Sequence, residues 1–231
     1  MKLELESYQL HFFSHNEEIE PSNIFVQSLS KALKPIFPVV PITARELEPL
    51  KGASRDFLIL DSPEHKIRIE IPSQELVISQ QDCTLDEFKE TCSSIFAQFA
   101  ELFPMKYANR LSIISNKIYT GSIEEYNDLY GALFTFKSVQ PFEWDNRIVE
   151  RKLLENSEEE INSISSLRRL EVQGAFADRH QTKDVIIVDL DSNTIPQNNS
   201  RRFSFSNSQE IIDGLFGNTN TLSTKLSRYF D

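Results

Sequence analysis

"DFLILDSPEHKIRIEIPSQELVIS", residues 56–79, decides what kind of fold this chain can form. Three short runs rich in aliphatic residues, Phe57–Leu60, Lys66–Ile71 and Glu75–Ser79, are separated by the turn sequences "DSPE" and "PSQ". Short apolar runs between turns that carry Pro and Ser are typical of neighbouring antiparallel strands. The stretch therefore predicts a meander of three strands.

The segment that follows, "TLDEFKETCSSIFAQFAELF" at 84–103, predicts a helix that packs on this sheet. Thr84 and Glu87 have the spacing of a capping box, and apolar residues recur at helical intervals from Leu85 to Phe103. Because a wide apolar helix face needs a partner, and amphipathic strands supply one, helix and sheet are expected to form two layers.

Upstream and downstream segments repeat this order of elements. "KLELESYQLHFF" at 2–13 alternates like a strand with one slip, and "NRLSIISNKIY" at 109–119 predicts another strand. "EPSNIFVQSLSKALKPIF" at 20–37 predicts a helix that Pro35 ends, and "PVVPITARELEP" at 38–49 predicts a short capped helix.

The second half is less sharply patterned. "ENSEEEINSISS" at 155–166 is polar and acidic, which predicts a surface loop or a short exposed helix. A final helix is expected after Ser206, capped by Ser206 with Gln209 or by Asn207 with Glu210, and interrupted at "GNTN". Further strands are predicted at 131–142, 166–177, 184–191 and 201–206.

Together these elements predict an α+β fold, with largely antiparallel sheet and amphipathic helices packed on one of its faces. The repeated order of strands followed by a capped helix favours two similar β-rich halves, 1–121 and 122–231. The halves are compatible with two domains or with one continuous domain.

Composition excludes several classes of protein. The six glycines form neither a P-loop nor a dinucleotide-binding motif, and the two cysteines do not form a zinc or haem motif.

The net charge of −11 opposes general nucleic-acid binding and suits a basic protein partner. With no apolar run long enough to cross a membrane and no signal peptide, we expect a cytoplasmic protein without a membrane partner.

"DVIIVDLDSNT" at 184–194 is the stretch that most resembles a catalytic motif, because four aliphatic residues lead into Asp189 and Asp191. The spacing departs from that of a phosphatase nucleophile, since Asn193 stands where Thr or Val belongs. A divalent-cation site is the alternative use of the two carboxylates. The favoured interpretation is that both aspartates end the strand and begin a turn at "SNT".

Two further constellations match weak patterns. Asp128 with Glu150 and Lys152 has the order of a metal-dependent nuclease site, although the same pattern occurs elsewhere in the chain. His11 and His15 have the spacing of zinc ligands on a helix, but their segment is predicted to be a strand. We therefore predict no catalytic residues, no metal and no cofactor, and retain these positions as the alternatives.

"ANRLSIISNKIY" after an amphipathic helix, a late strand that ends in "VDLD", and a C-terminal helix that finishes on Phe230 resemble a sporadically distributed family of uncharacterised bacterial proteins of similar length. The resemblance covers most of the chain. It implies a bacterial cytoplasmic origin, and the patchy distribution implies mobile-element or defence islands. It carries no catalytic residues.

The prediction of function rests on two observations: the catalytic and metal-binding patterns are weak, and the chain is acidic. We expect a non-enzymatic module that binds another protein, as an accessory or neutralising partner in a bacterial defence or conflict system. One alternative is a metal-dependent hydrolase or nuclease that uses the clustered carboxylates. The other is an acidic mimic of nucleic acid, which requires the acidic residues to lie in one stripe.

Overall fold

A computed structural model describes residues 1–48, 52–155, 157–173 and 182–230, and strands account for most of its regular structure. The described strands are β1 (Lys2–Phe13), β2 (Val40–Glu48), β3 (Ala53–Ser62), β4 (Ile67–Ile71), β5 (Leu76–Gln81), β6 (Tyr107–Ala108), β7 (Arg110–Thr120), β8 (Trp144–Leu153), β9 (Glu160–Val172), β10 (Lys183–Thr194) and β11 (Phe203–Ser204). The described helices are α1 (Asn23–Leu33), α2 (Leu85–Leu102), α3 (Ile123–Leu133) and α4 (Gln209–Ser227).

Nine of these strands form one sheet in the order β2-β3-β4-β5-β1-β7-β10-β9-β8, and β6 pairs with β11 in a small second sheet. Every pairing is antiparallel. The predicted α+β class with a largely antiparallel sheet is therefore confirmed. The sequence predicts a slip in β1 near Ser7, but the irregularity lies nearer the start of the strand, as a register shift between Leu3 and Leu5.

The order of elements repeats once along the chain. A strand, a helix, a meander and a second helix run from β1 to α2, and the same series runs from β7 to α4. In each half the last strand of the meander returns to pair with the first strand, as β5 does with β1 and β10 with β7. The sheet continues through the predicted boundary at 121/122, because β7 ends at Thr120 and pairs with both halves.

The helices of the described chain all pack on one face of the sheet, here called the helix face. The larger core places α1, α2 and the first half of α4 against β1, β3, β4, β5 and β7. A smaller core places α3 and the end of α4 against β9 and β10. The opposite face, here called the open face, carries no described helix. Its central side chains are Ser7, Gln9, His11, Ser112, Ile114, Asn116, Asp145, Arg147, Val149, Ile164, Ser166, Arg168, Ile187, Asp189 and Asp191.

Capping boxes begin two of the helices. Thr84 accepts from the Glu87 backbone N–H while the Glu87 carboxylate accepts from the Thr84 N–H, as the sequence predicted. Ser122 and Glu125 form the same reciprocal pair at the start of α3. Each box satisfies two backbone donors that a helix start otherwise leaves without partners. The second box is a sequence signal for α3 that the strand assignment at 131–142 overlooked.

Several predicted elements are wrong. Residues 38–49 were expected to form a short helix, but Val40–Glu48 pair with β3 because the ladder outweighs a weak capping signal. Residues 131–142 were expected to be a strand but contain the end of α3 and a loop. The predicted loop at 155–166 includes the start of β9, and the final part of 166–177 lies outside the described residues.

The final helix also differs from the prediction. Its N-cap is Ser208, which makes no side-chain capping bond, and α4 continues through "GNTN" without interruption. The reason lies on the helix face, where Asn218 donates to Ser163 at 3.0 Å and to Ser192 at 2.8 Å. Thr219 donates to the same Ser192 oxygen at 2.8 Å. All four side chains are buried, so α4 packs on the sheet partly through a polar cluster.

No helix of the described chain has both the length and the apolar character needed to cross a membrane.

Asn218→Ala is expected to lower the free energy of unfolding by about 2 kcal/mol, because it leaves the buried Ser163 hydroxyl without its partner and removes one of the two bonds to the Ser192 hydroxyl. The matched control is Asn220→Ala, in the same helix but exposed, which should change that free energy by no more than about 0.5 kcal/mol. Urea unfolding followed by circular dichroism measures both. Equal losses in the two variants would contradict a structural role for the polar cluster.

Candidate functional site

The two aspartates of "DVIIVDLDSNT" lie in the middle of β10 and not at its end. Ser192, Asn193 and Thr194 continue the strand, since all three pair with β9 and all three are buried. The predicted turn at "SNT" is therefore wrong, because tertiary pairing on both sides of β10 outweighs the turn preference of these small polar residues. By alternation along β10, Val185, Ile187 and both aspartates lie on the open face.

Asp189 is held by two neighbouring strands. The Arg168 guanidinium on β9 forms an ion pair with one carboxylate oxygen, and the Asn116 amide on β7 donates to the other. The Asp189 side chain is 29% exposed and that of Arg168 is 39% exposed, so this pair lies at the surface of the sheet. Both oxygens of Asp189 therefore already accept hydrogen bonds from the protein.

The other carboxylates near Asp189 also accept from adjacent strands. The Ser112 hydroxyl on β7 donates to Asp191 at 2.8 Å, and the Ser166 hydroxyl on β9 donates to Asp145 at 3.1 Å. The bonds from Arg168, Ser112 and Ser166 run diagonally between strands, because other residues stand directly opposite their partners, whereas Asn116 stands directly opposite Asp189. The result is a polar lattice across four strands of the open face.

A shallow depression of about 340 Å³ lies over this lattice. Its charged lining includes Asp145, Asp189 and Asp191 together with Arg147 and Arg168. A divalent cation binds carboxylate oxygens with free lone pairs, so occupation of this depression would require displacement of Arg168. Among the described residues, no group of three or more His, Cys, Asp or Glu side chains is arranged to hold a metal ion. The lattice is better suited to a rigid recognition surface.

The second predicted constellation is distributed over two elements. Asp128 is exposed on α3, whereas Glu150 and Lys152 lie on β8 with their side chains on the helix-face side. No hydrogen bond or ion pair joins these three residues in the part of the chain that the structure describes. The sheet thus places Asp189 and Asp191 together on the open face and the Asp128 set away from them.

His11 belongs to β1, as the strand prediction implied, and is tied into the open face. Its Nδ1 lies 2.7 Å from a carboxylate oxygen of Glu75 and its Nε2 lies 3.1 Å from the amide oxygen of Gln9. Its ring stacks on Phe13 with centroids 5.7 Å apart. His15 lies beyond the end of β1 and is exposed. The two histidines therefore do not share one face of a helix, which the spacing of zinc ligands would require.

The cysteines occupy environments that suppress the thiolate. Burial raises the pKa of the Cys83 thiol to about 11, and the nearby carboxylates of Glu87, Glu6 and Asp82 add to the effect. Burial also raises the pKa of Cys92, which is enclosed in the core. A nucleophilic cysteine needs the opposite shift, produced by positive neighbours.

The residues that complete the lattice were not singled out from the sequence. Arg168, Asn116, Ser112 and Ser166 become neighbours of the aspartates only through strand register. The available signal was the alternation of polar residues in "NRLSIISNKIY" and "SLRRLEV", which indicated one polar face but not its partners.

No family model matches the chain, and no curated protein matches it. Among solved structures the chain is similar to Methanococcus jannaschii TBP, with 6% sequence identity, a TM-score of 0.27 and an alignment that covers 96% of this chain and 99% of that chain. At this identity and TM-score the likeness supports no argument, and the fold described above rests on the strand pairing alone.

Calorimetric titration of the protein with Mg²⁺, Mn²⁺ and Zn²⁺ is expected to show no saturable binding at Asp189 and Asp191. The reason is that Arg168 and Asn116 already donate hydrogen bonds to the Asp189 carboxylate. The variant Asp189→Ala is the reference, since a site built on this carboxylate would lose its heat signal there. Binding that is present in the wild type and absent in Asp189→Ala would contradict the assignment and revive the hydrolase alternative.

Alkylation of Cys83 by iodoacetamide at pH 8 is expected to be about 100-fold slower than that of a thiol with the ordinary pKa of 9.0. Since the thiolate is the reactive form, the rate should rise about tenfold per pH unit until the pH nears 11. Mass spectrometry of the modified peptide follows the reaction. The same chain unfolded in urea is the control and should react at the rate of a free thiol.

Proposed function

We propose that the protein is a non-enzymatic module that binds another protein through the open face of its sheet. The observation that carries the proposal is the cross-strand lattice, in which Asp189, Asp191 and Asp145 are bonded by side chains of neighbouring strands. Side chains fixed in this way are ordered before any partner arrives, which lowers the entropy cost of binding. An unpaired carboxylate group, as metal catalysis requires, is not what the lattice provides.

The distribution of charge on the open face supports a protein partner. Along the nine strands, basic and acidic side chains alternate between neighbouring positions. A duplex or single strand of nucleic acid favours a surface of positive charge, whereas a mixed face suits the mixed surface of a protein. The mixture also opposes the nucleic-acid mimic, which needs a stripe of one sign. The basic members of the open face include Arg68, Arg110, Arg147, Arg151 and Arg168, and the acidic members include Asp61, Glu70, Glu75, Asp145, Asp189 and Asp191.

Apolar side chains lie between these charges. Ile114, Ile164 and Ile187 are each partly exposed on the open face and lie at the centre of the second half of the sheet. Protein interfaces commonly combine an apolar centre with a polar rim that contains arginine. A net charge of −11 adds long-range attraction for a basic partner. An accessory or neutralising role in a bacterial conflict system is consistent with this mode of action.

Ile114→Lys is expected to reduce capture of the partner at least tenfold, because it replaces an apolar side chain at the centre of the open face with a long charged one. The tagged wild type should retain a stoichiometric protein partner from an extract of the bacterium that encodes it. The matched control is Ile24→Lys, a substitution on α1 at a side chain that is already 77% exposed. Quantitative mass spectrometry of the eluates measures capture, and circular dichroism verifies that both variants are folded.

Two outcomes would contradict the proposal in different ways. If the wild type retains no stoichiometric protein, protein binding as the function is wrong. If both lysine variants retain the partner equally well, the partner binds elsewhere and the open face is the wrong surface.

A further inference from the structure

Strand β8 is an edge of the nine-stranded sheet. It pairs with β9 over its whole length, from Trp144 to Leu153, and among the described strands it has no neighbour on its other side. Alternate residues of an antiparallel edge strand direct their backbone N–H and C=O groups away from the sheet. These groups form a template for one more strand.

β8 carries charged side chains, but it lacks the backbone features that commonly protect an edge strand. Its sequence "WDNRIVERKL" contains no proline, and its register with β9 proceeds without a bulge. The opposite edge, β2, contains Pro41, which lacks a backbone donor. Natural sheets commonly blunt their edges with prolines, bulges or very short strands. A ten-residue regular edge is therefore a surface on which another strand can pair.

The side chains along this edge are unusually apolar for a surface. Ile148 is 60% exposed, Val149 is 48% exposed and Leu153 is 66% exposed. Phe142, two residues before the strand, is 69% exposed. Ile148 points to the helix-face side and Val149 to the open-face side, so both surfaces of the edge present apolar area. Contiguous exposed apolar residues of this kind mark an interaction site.

We propose that this edge binds a second copy of the same chain, with two β8 strands pairing antiparallel about a two-fold axis at Ile148. In this register, residues equally far from Ile148 on its two sides lie opposite each other. Asp145 then lies opposite Arg151 of the second copy, and this pair occurs twice because of the symmetry. Ile148 lies opposite its own copy, and Arg147 lies opposite Val149. Opposite charges and apolar residues in directly opposed positions both stabilise a strand pair.

Several other two-fold registers are disfavoured by charge. An axis at Arg147 places two arginines opposite each other, and an axis at Glu150 places two glutamates opposite each other. An axis at Val149 places Arg147 opposite Arg151. Each of these arrangements brings like charges together, which destabilises a strand pair. An axis at Asn146 does pair Asp145 with Arg147, but within β8 it opposes only residues 144–148, whereas the axis at Ile148 opposes residues 144–152.

The local charge of β8 also permits self-association. Although the whole chain has a net charge of −11, β8 carries three basic residues and two acidic ones. The contact therefore does not bring two strongly acidic surfaces together. The pairing would join two sheets edge to edge and place both open faces on the same side. Alternate residues of β8, among them Asp145 and Arg151, also belong to the open face, but the inference rests on the edge position of β8 and on its sequence and not on the proposed function.

The test is a charge reversal at the two opposed positions. Sedimentation equilibrium of the wild type is expected to give twice the chain mass of 26.7 kDa at roughly micromolar to tens of micromolar concentration. Asp145→Arg alone places arginine opposite Arg151, and Arg151→Asp alone places aspartate opposite Asp145. Each should raise the dissociation constant of the dimer about tenfold or more. Glu90→Arg, an equal change of charge on exposed α2, is the control and should leave the dimer intact.

The two single variants also test the register directly. When they are mixed, the arginine introduced at position 145 of one copy faces the aspartate introduced at position 151 of the other, and the natural Asp145 and Arg151 face each other at the second pair. The mixture is therefore expected to form a heterodimer with an affinity near that of the wild type, as is the double variant Asp145→Arg/Arg151→Asp with itself. Recovery in the mixture also shows that the single variants are folded.

Three results would overturn the inference. A wild type that sediments as a monomer up to roughly several hundred micromolar would show that β8 does not bind its own copy. A dimer that neither single variant weakens would place the contact elsewhere. Loss of the dimer in both single variants without recovery in the mixture would contradict the Ile148-centred register.

Discussion

The pairing of β1 with β7 is the contact on which the rest of the structure depends. Each of these strands begins one of the two repeated series of elements, and their ladder runs from Lys2 and Thr120 to Phe13 and Arg110. Because a sheet side chain alternates between faces, this ladder fixes which residues of both halves share the helix face. Leu10 and Ile113, which oppose each other there, are both completely buried. The central pairing thus unites two meanders under one layer of helices.

The described helices cover only one face of the sheet, and this explains the character of both the open face and the β8 edge. With every described helix on one face, the open face is free to carry polar and charged side chains, and these satisfy one another across strands. The same arrangement places a meander strand at each end of the sheet, with β8 at one end and β2 at the other. Recognition by the open face and self-association through β8 therefore follow from the same layout.

Sequence patterns correctly predicted the helices and strands in which one face is consistently apolar and packs against the core. The helix at Leu85–Leu102 and strands β1 and β7 have strong periodicity or caps, so local signals and tertiary packing agree. The wrong predictions occurred where local signals and tertiary packing conflict. Residues 38–49 have a helix-cap pattern but contribute an edge strand, and "GNTN" has the composition of a loop but lies within α4. In both cases contacts outside the segment decided the outcome, through the neighbouring strand β3 in the first case and through Ser163 and Ser192, distant in sequence, in the second.

The sequence by itself determined the class of fold, the α2 capping box and the net acidity, because alternation, capping and composition are local properties. Only the tertiary structure decided what Asp189 and Asp191 do. Register places Asn116 directly opposite Asp189 and Arg168 diagonally beside it, and no spacing within the sequence encodes these positions across strands. The exposure of β8 likewise depends on which strand ends the sheet, which is a property of strand order and not of the ten residues themselves.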